Sequence, residues 1–224
     1  MARKYMSDSE AKKAIVEYGR RIYERGMVAS NDGNITIKVG DNEIWATPTG
    51  VSKGYMTEDM LIKMDLDGNV LTKNERRPSS EIKMHLRVYK EDPDVKAVCH
   101  AHPIAATAFS ILGETFTPDI LAEPVFIVGE IPAAPYAAPG TYEVPESIAK
   151  YVYDHNVALI GNHGALAWGT DIEEAFFRLD SLEHFCKINL ISKYIIRKYK
   201  TIPQDQIEEI LKASREFKES KRGQ

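Results

Sequence analysis

The spacing of apolar residues along the chain predicts helices that alternate with strands. Residues 8–25 repeat apolar side chains at helical spacing and begin with two candidate N-caps, Asp8 and Ser9. The same period predicts further helices over residues 79–90, 103–112, 144–156, 171–198 and 203–218. Serine precedes the first of these, and Pro103 opens the second at a position where proline is tolerated.

Alternating and β-branched runs between these helices predict strands. Two of the runs are hairpins: residues 33–48 turn at "GDN" and residues 60–72 turn at "DG". Further strands are predicted over residues 94–102, 124–128 and 157–169. Hairpins join antiparallel strands, so we predict an α/β fold whose sheet is mostly antiparallel or mixed and carries packed helices. No linker composition divides residues 1–224, which predicts a single domain ending in a helix and a short polar tail from about residue 199.

Composition narrows the classes of partner. The chain has 224 residues, 43% of them hydrophobic, which is enough for a substantial core. Its net charge is −4 and no long block of like charge occurs, so neither nucleic acid nor an anionic membrane is expected as a partner. We expect a cytoplasmic location, because there are only two cysteines, no apolar leader run and no membrane-length apolar stretch.

Two histidines one residue apart, in "VCHAHP", interrupt an apolar strand. Side chains alternate along a strand, so His100 and His102 share one side while Cys99 points to the other. Such a pair converges on one metal ion only if a third ligand exists, and His163, between Gly161 and Gly164, is the best candidate. An isolated pair of this kind is more often simply hydrogen-bonded, so the metal interpretation depends on all three histidines.

The stretch "RRPSSEIKMH" offers a second type of chemistry. Ser79 and Ser80 stand at the predicted start of a helix, where free backbone N–H groups and the helix dipole favour an anion. Ordinary helix capping explains the same residues equally well. The loops "SNDGNIT" and "ATPTGVSKG" have similar polar, glycine-containing character, and together the three segments suggest a phosphate site. The chain contains neither GxGxxG nor GxxxxGK[ST], the usual nucleotide-binding patterns.

Five short motifs in fixed order resemble the class II aldolase/adducin-type family: "GN" (33–34), "TPTG" (47–50), "SSE" (79–81), "HAHP" (100–103) and "NHG" (162–164). The resemblance covers about residues 8–215 and is closest to the L-fuculose-phosphate aldolases. It implies a three-layer α/β/α fold with a predominantly antiparallel central sheet, and a homotetramer with active sites at subunit interfaces. It also implies zinc ligation by His100, His102 and His163 together with Glu81.

The resemblance assigns further roles. Glu81 is expected to leave the zinc and act as the catalytic acid/base, and the substrate phosphate is expected at Gly33, Asn34, Thr49, Gly50, Ser79 and Ser80. The implied reaction is cleavage of a ketose 1-phosphate, L-fuculose 1-phosphate or a related 5-deoxy pentulose phosphate, to dihydroxyacetone phosphate and an aldehyde. No Schiff-base lysine is needed, so Lys53 and Lys83 are expected to be solvated or to neutralise phosphate.

Alternatives of two kinds stay open at this point. Epimerases, dehydratases and decarboxylases share the fold, although Glu81 stands where the 4-epimerases have aspartate. An adducin-like scaffold without catalysis and a zinc-stabilised structural domain are the alternatives of another class. The chain also departs from the fuculose-phosphate aldolases: Leu121 and Phe217 stand near two family tyrosines, for which Tyr136 and Tyr142 are candidate substitutes.

Overall fold

One seven-stranded sheet runs through the computed structural model, which describes residues 5–73 and 75–221. The strands are β1 (Asn34–Gly40), β2 (Glu43–Ala46), β3 (Ile62–Asp65), β4 (Ala97–Ala101), β5 (Ala133–Ala134), β6 (Val157–Ile160) and β7 (Gly164–Gly169). Their order across the sheet is β3-β2-β1-β4-β7-β6-β5, and only the β5–β6 pair is parallel. The predicted, predominantly antiparallel sheet is confirmed, and β4 lies at its centre.

Helices lie on both faces of this sheet. They are α1 (Asp8–Glu24), α2 (Ile82–Glu91), α3 (Ile104–Ser110), α4 (Ala122–Ile127), α5 (Glu143–Ala149), α6 (Ile172–Asn189) and α7 (Gln204–Lys221). A π-helical segment, Leu190–Ile196, continues α6, and short 3₁₀ turns span Lys53–Tyr55 and Glu58–Met60. Since helices cover both faces, the three-layer α/β/α architecture is confirmed.

Each face of the sheet has its own hydrophobic core. Buried residues of α1, α3 and α6 form the first core, and buried residues of α2 and α5 form the second. Along β4, Cys99 belongs to the first core and Val98 to the second, as strand alternation requires. His100 therefore shares the face of Val98 and points toward the layer that contains α2.

Some boundaries differ from those predicted. The strand predicted over residues 124–128 is wrong, because this segment lies in helix α4. Pro124 is tolerated there, since the first turn of a helix does not use its N–H groups. The N-cap of α1 is Ser7, which forms a capping box with Glu10, and not Asp8 or Ser9. Helix α2 begins at Ile82, after the serines.

The strand predicted over residues 157–169 is in fact two antiparallel strands, β6 and β7, and the helix predicted over residues 144–156 ends at Ala149. Further differences concern short pairings and the C-terminus. The "DG" hairpin is reduced to a single bridge between Met64 and Val70, and the two-residue strand β5 was not predicted. The polar tail is partly helical, because α7 continues to Lys221, and residues 222–224 lie outside the described residues. Over residues 5–73 and 75–221, we find no helix with both the length and the apolar character that crossing a bilayer requires.

Candidate metal and substrate site

Four side chains from three distant segments meet at one end of β4. His100 is on the strand, His102 follows its last residue, His163 lies in the turn between β6 and β7, and Glu81 directly precedes α2. One potential ligand atom from each of the four lies within 4.8 Å of the others. The structure thus brings together all four residues that the sequence proposed as ligands.

Hydrogen bonds on the far side of two rings aim the Nε2 atoms at each other. His100 Nδ1 lies 2.9 Å from the Ala165 carbonyl oxygen, and His102 Nδ1 lies 3.2 Å from Asp32 Oδ2. Because these partners accept hydrogen bonds, both Nδ1 atoms carry the proton and both Nε2 atoms present lone pairs. Metal-bound histidines in proteins are held in this way by carbonyls and carboxylates.

The distance between the two lone pairs fits a divalent ion. His100 Nε2 and His102 Nε2 are 3.1 Å apart, where two lone pairs repel each other unless they share a cation. Two ligands about 2.05 Å from a tetrahedral zinc ion are separated by about 3.3 Å. A carboxylate and three imidazoles are also a donor set that such an ion accepts.

Glu81 faces this cluster in its ionised form. Its Oε1 lies 2.8 Å from His163 Nε2, and its Oε2 lies 3.7 Å from His100 Nε2 and accepts a 2.7 Å hydrogen bond from Asn34 Nδ2. Burial raises the pKa of Glu81, but the contacts with His100, His163 and Asn34 outweigh it and hold the pKa well below its usual range. The carboxylate is therefore available as a ligand or a base at neutral pH.

Two glycines allow the backbone to close around the site. A Cβ on Gly33 would meet the His100 carbonyl oxygen at 2.8 Å, and the residue has a φ of 78°. A Cβ on Gly164 would approach both the Ala101 carbonyl oxygen and His102 Cδ2 to 2.6 Å. Larger residues at these positions would push β1 or β7 away from the histidine-bearing end of β4.

The residues proposed to bind phosphate differ in whether their side chains are already engaged by the metal-binding cluster. Thr49 N–H donates to the Arg77 carbonyl at 2.9 Å, which draws the "TPTG" loop against the segment that leads to Ser79 and Ser80. Ser79 Oγ accepts a 3.2 Å hydrogen bond from the backbone N–H of Glu81. Asn34 is different, because its buried side chain binds Glu81 and His85.

Sequence reasoning missed two residues that hold the loops of the site. Asp32 orients His102, and its only sequence signal was its position beside the "GN" motif. Lys53 is 2% exposed, and its Nζ donates to the carbonyls of Asn31 and Val51 at 3.0 and 2.6 Å. Burial lowers the pKa of Lys53 to about 8. Of the two alternatives expected for Lys53, solvation is therefore wrong, because the buried side chain joins the two glycine-containing loops. Neutralisation of a phosphate by Lys53 stays a prediction.

The four residues that the sequence set against the family tyrosines lie in different surroundings. Leu121 packs against the first core, and the ring of Phe217 lies 5.8 Å from that of Phe126. Tyr142 is 73% exposed and its ring lies 4.4 Å from Lys83 Nζ, while Tyr136 is 66% exposed. The loop that carries both tyrosines borders the site, since Gly140 and Thr141 share a small cavity with Ser80, Glu81 and His163.

Replacing His102 with alanine should lower the zinc content of the purified protein from about one ion per chain to a small fraction of that value, because two imidazoles and one carboxylate bind zinc more weakly than the full set. Elemental analysis after dialysis measures this content. The matched control is His155→Ala, which removes a histidine that contacts Glu130 and the Tyr151 carbonyl instead. Equal zinc content in His102→Ala and the wild type would refute this ligand assignment.

The sequence matches a known family and several characterised relatives. The pattern of the family described as Class II Aldolase and Adducin N-terminal domain covers residues 13–190. A 3-oxo-tetronate 4-phosphate decarboxylase of Haemophilus influenzae is 33% identical over 82% of this chain and 88% of its own. An L-fuculose phosphate aldolase of Methanocaldococcus jannaschii is also 33% identical, over 81% of this chain and 96% of its own.

Solved structures agree with the sequence comparison. An L-fuculose 1-phosphate aldolase superposes with a TM-score of 0.83 at 27% identity and covers 94% of this chain and 98% of its own. YgbL from Klebsiella pneumoniae superposes with a TM-score of 0.83 at 26% identity and covers 92% of this chain and 99% of its own. The chain therefore belongs to the Class II Aldolase and Adducin N-terminal domain family. It is an enzyme of the group that contains the family's aldolases and decarboxylases.

Proposed function

We propose that this enzyme is a zinc-dependent aldolase that cleaves a ketose 1-phosphate to dihydroxyacetone phosphate and an aldehyde. The observation that carries the proposal is the meeting of Glu81 with three imidazoles beside the serines that precede α2. A substrate with a phosphate and a carbonyl separated by few bonds matches a metal-binding cluster adjacent to an anion site. L-fuculose 1-phosphate and related 5-deoxy pentulose phosphates are the substrates we expect, in line with the aldolase relatives.

The phosphate is proposed to bind where the "GN" and "TPTG" loops meet the start of α2. Thr49, Ser79 and Ser80 offer hydroxyls, and Gly33 and Gly50 leave the backbone open to a ligand. The positive end of the α2 dipole adds a favourable charge. Asn34 contributes to this site only through its backbone, since its amide is held between Glu81 and His85.

Glu81 is proposed to carry out the proton transfer at C3. In cleavage, the C4 hydroxyl gives its proton to solvent and the C3–C4 electrons move onto the C2 carbonyl oxygen, which gives an enediolate and the aldehyde. Glu81 takes up one proton from solvent for delivery to C3. In the direction of synthesis, an ionised Glu81 removes a proton from C3 of dihydroxyacetone phosphate, and in cleavage it returns that proton. A divalent ion held by His100, His102 and His163 supplies Lewis-acid stabilisation of the enediolate charge when it is bound.

A decarboxylase is the second candidate, because one of the 33% identical relatives is named for this reaction. A 3-oxo-tetronate 4-phosphate that loses its carboxylate as CO₂ leaves the electron pair on C2, conjugated with the C3 carbonyl. The resulting enediolate is the one that aldol cleavage produces, and protonation again gives dihydroxyacetone phosphate. The shared product means that the two activities are distinguished by the other product, an aldehyde or CO₂.

We further propose that the chain forms a homotetramer with active sites at subunit interfaces. The π-helical segment after α6 exposes Ile191, Tyr194, Ile195 and Ile196 by 46 to 68% of their surface, an apolar face that a second copy would cover. Light scattering on the purified protein should give a mass of about four times 25.2 kDa. A monomeric mass at micromolar concentration would contradict the tetramer.

A substrate panel tests the reaction itself. Dihydroxyacetone phosphate release should be fastest with a ketose 1-phosphate and should stop on addition of a chelator and resume with zinc. Each ketose 1-phosphate is paired with 3-oxo-tetronate 4-phosphate, and both aldehyde and CO₂ are measured. Release of CO₂ without activity on any ketose 1-phosphate would replace the aldolase proposal with the decarboxylase one.

Replacing Glu81 with glutamine should reduce turnover by about 10²- to 10⁴-fold, because the amide is not an acid/base. The variant should stay folded and, with zinc in excess, should still bind it through the three histidines. Turnover, circular dichroism and zinc content measure these effects. Glu130→Gln is the matched control, since Glu130 is exposed and pairs with His155. Turnover of Glu81→Gln close to that of the wild type would remove Glu81 from the mechanism.

A further inference from the structure

A chain of buried polar groups leads from Glu81 into the second core. It passes through Asn34 and Thr36 of β1 and through His85 and Tyr89 of α2, each of which is at most 2% exposed. Buried polar groups of this kind are retained when every member has a partner, and here each one has. The chain ends at the carboxylate that the proposed reaction uses.

The hydrogen bonds that join these buried polar groups have a single consistent direction. An ionised Glu81 only accepts hydrogen bonds, so the Asn34 amide must turn its NH₂ group to Oε2, at 2.7 Å. The amide oxygen then faces His85 Nε2 at 2.8 Å, and this nitrogen must donate. Burial lowers the pKa of His85 to about 3, so the ring is neutral and its Nδ1 accepts.

Two hydroxyl groups deeper in the core, those of Thr36 and Tyr89, supply the donors that this direction requires. The Thr36 hydroxyl lies 2.9 Å from His85 Nδ1 and donates to it. The Tyr89 hydroxyl lies 2.8 Å from Thr36 Oγ1 and 3.1 Å from the Thr36 carbonyl oxygen, and it donates to this pair of acceptors. Every donor therefore points toward Glu81, and His85 is held with its proton on Nε2.

We propose that His85 is a positioning residue, which fixes the Asn34 amide and through it the orientation of the Glu81 carboxylate. The proposal rests on the proposed function only in taking Glu81 as a metal ligand and acid/base. Without the Nε2–H of His85, the Asn34 amide oxygen loses its donor, and the amide is held only by its hydrogen bond to Oε2. With it, Oε2 is held by Asn34 and Oε1 is directed to His163.

The tautomer of His85 separates the two roles. A histidine that only fills space in the core would not need its proton on Nε2, whereas a positioning residue would. The first measurement is therefore made on the wild-type protein, by long-range ¹H–¹⁵N NMR of its histidine rings, with the His85 signals assigned by their loss in His85→Gln. We expect His85 to be neutral with the proton on Nε2. A proton on Nδ1 would overturn the proposal, because the hydrogen bonds would then run in the opposite direction.

The second measurement is zinc affinity, obtained by competition with a chelator. His85→Leu should raise the zinc Kd by about 10-fold or more, which is the usual effect of losing a group that orients a metal ligand. His85→Gln should recover most of the affinity, because a glutamine places an N–H close to the position of Nε2. His155→Gln is the control and should bind zinc like the wild type, since it leaves the hydrogen bond between His85 and Asn34 in place.

Unchanged zinc affinity in a folded His85→Leu would overturn the proposal, as would equal losses in the leucine and glutamine variants. If His85→Leu does not fold, the wild-type tautomer and the affinity of His85→Gln still decide the question. Neither measurement contains a sugar phosphate. Failure of the proposed aldol reaction would therefore leave these results intact, and their failure would leave the substrate panel unaffected.

Discussion

The pairing register of β4 is the constraint on which the site depends. The strand is hydrogen-bonded on both sides, with His100 opposite Asn34 of β1 and Ala101 opposite Ala165 of β7. The first pairing sets the "GN" loop beside the histidines, and the second brings in the turn that holds His163. A slip of one residue would turn His100 toward the opposite core and separate the ligands. Two hydrophobic cores, one on each face, oppose such a slip because it would bury His100 in the apolar first core and would exchange Cys99 and Val98 between the cores.

The same register makes the site electrostatically demanding. Imidazole lone pairs converge, a carboxylate is buried among them, and neutral polar groups extend from it into the core. Each unpaired group in such surroundings would cost stability, and the structure provides partners on the far side of two of the rings and of the Asn34 amide, while Nδ1 of His163 has none among the described residues. Asp32, Ala165 and His85 have this role for His102, His100 and Asn34 respectively. The orientation of the ligands is thus built into the fold through hydrogen bonds.

The sequence was sufficient to predict the candidate metal ligands, and insufficient to predict the residues that orient them. Strand alternation predicted the convergence of His100 and His102 and the exclusion of Cys99, and the structure agrees. The strand predicted over residues 124–128 is wrong because a short apolar run has no period of its own, and this segment instead forms most of helix α4. His85 had a signal, since it stands four residues after Glu81 on the same helical face, but its partners lie on another strand. Lys53 had none, because its two carbonyl acceptors become neighbours only in the folded chain.

The chemistry explains why one site serves relatives with different names. Aldol cleavage and decarboxylation of a 3-oxo acid both place an electron pair beside a carbonyl, and both end when carbon receives a proton. A fixed carboxylate and a metal ion held by three imidazoles suit both steps. The bond that breaks then depends on what the substrate carries beyond the carbon that is protonated: an aldehyde-forming carbon or a carboxylate. In this chain Leu121 packs against the first core, and the ring of the half-exposed Phe217 lies beside that of Phe126. The loop that carries Tyr136 and Tyr142, in contrast, borders the cluster, since Gly140 and Thr141 share a cavity with Glu81 and His163.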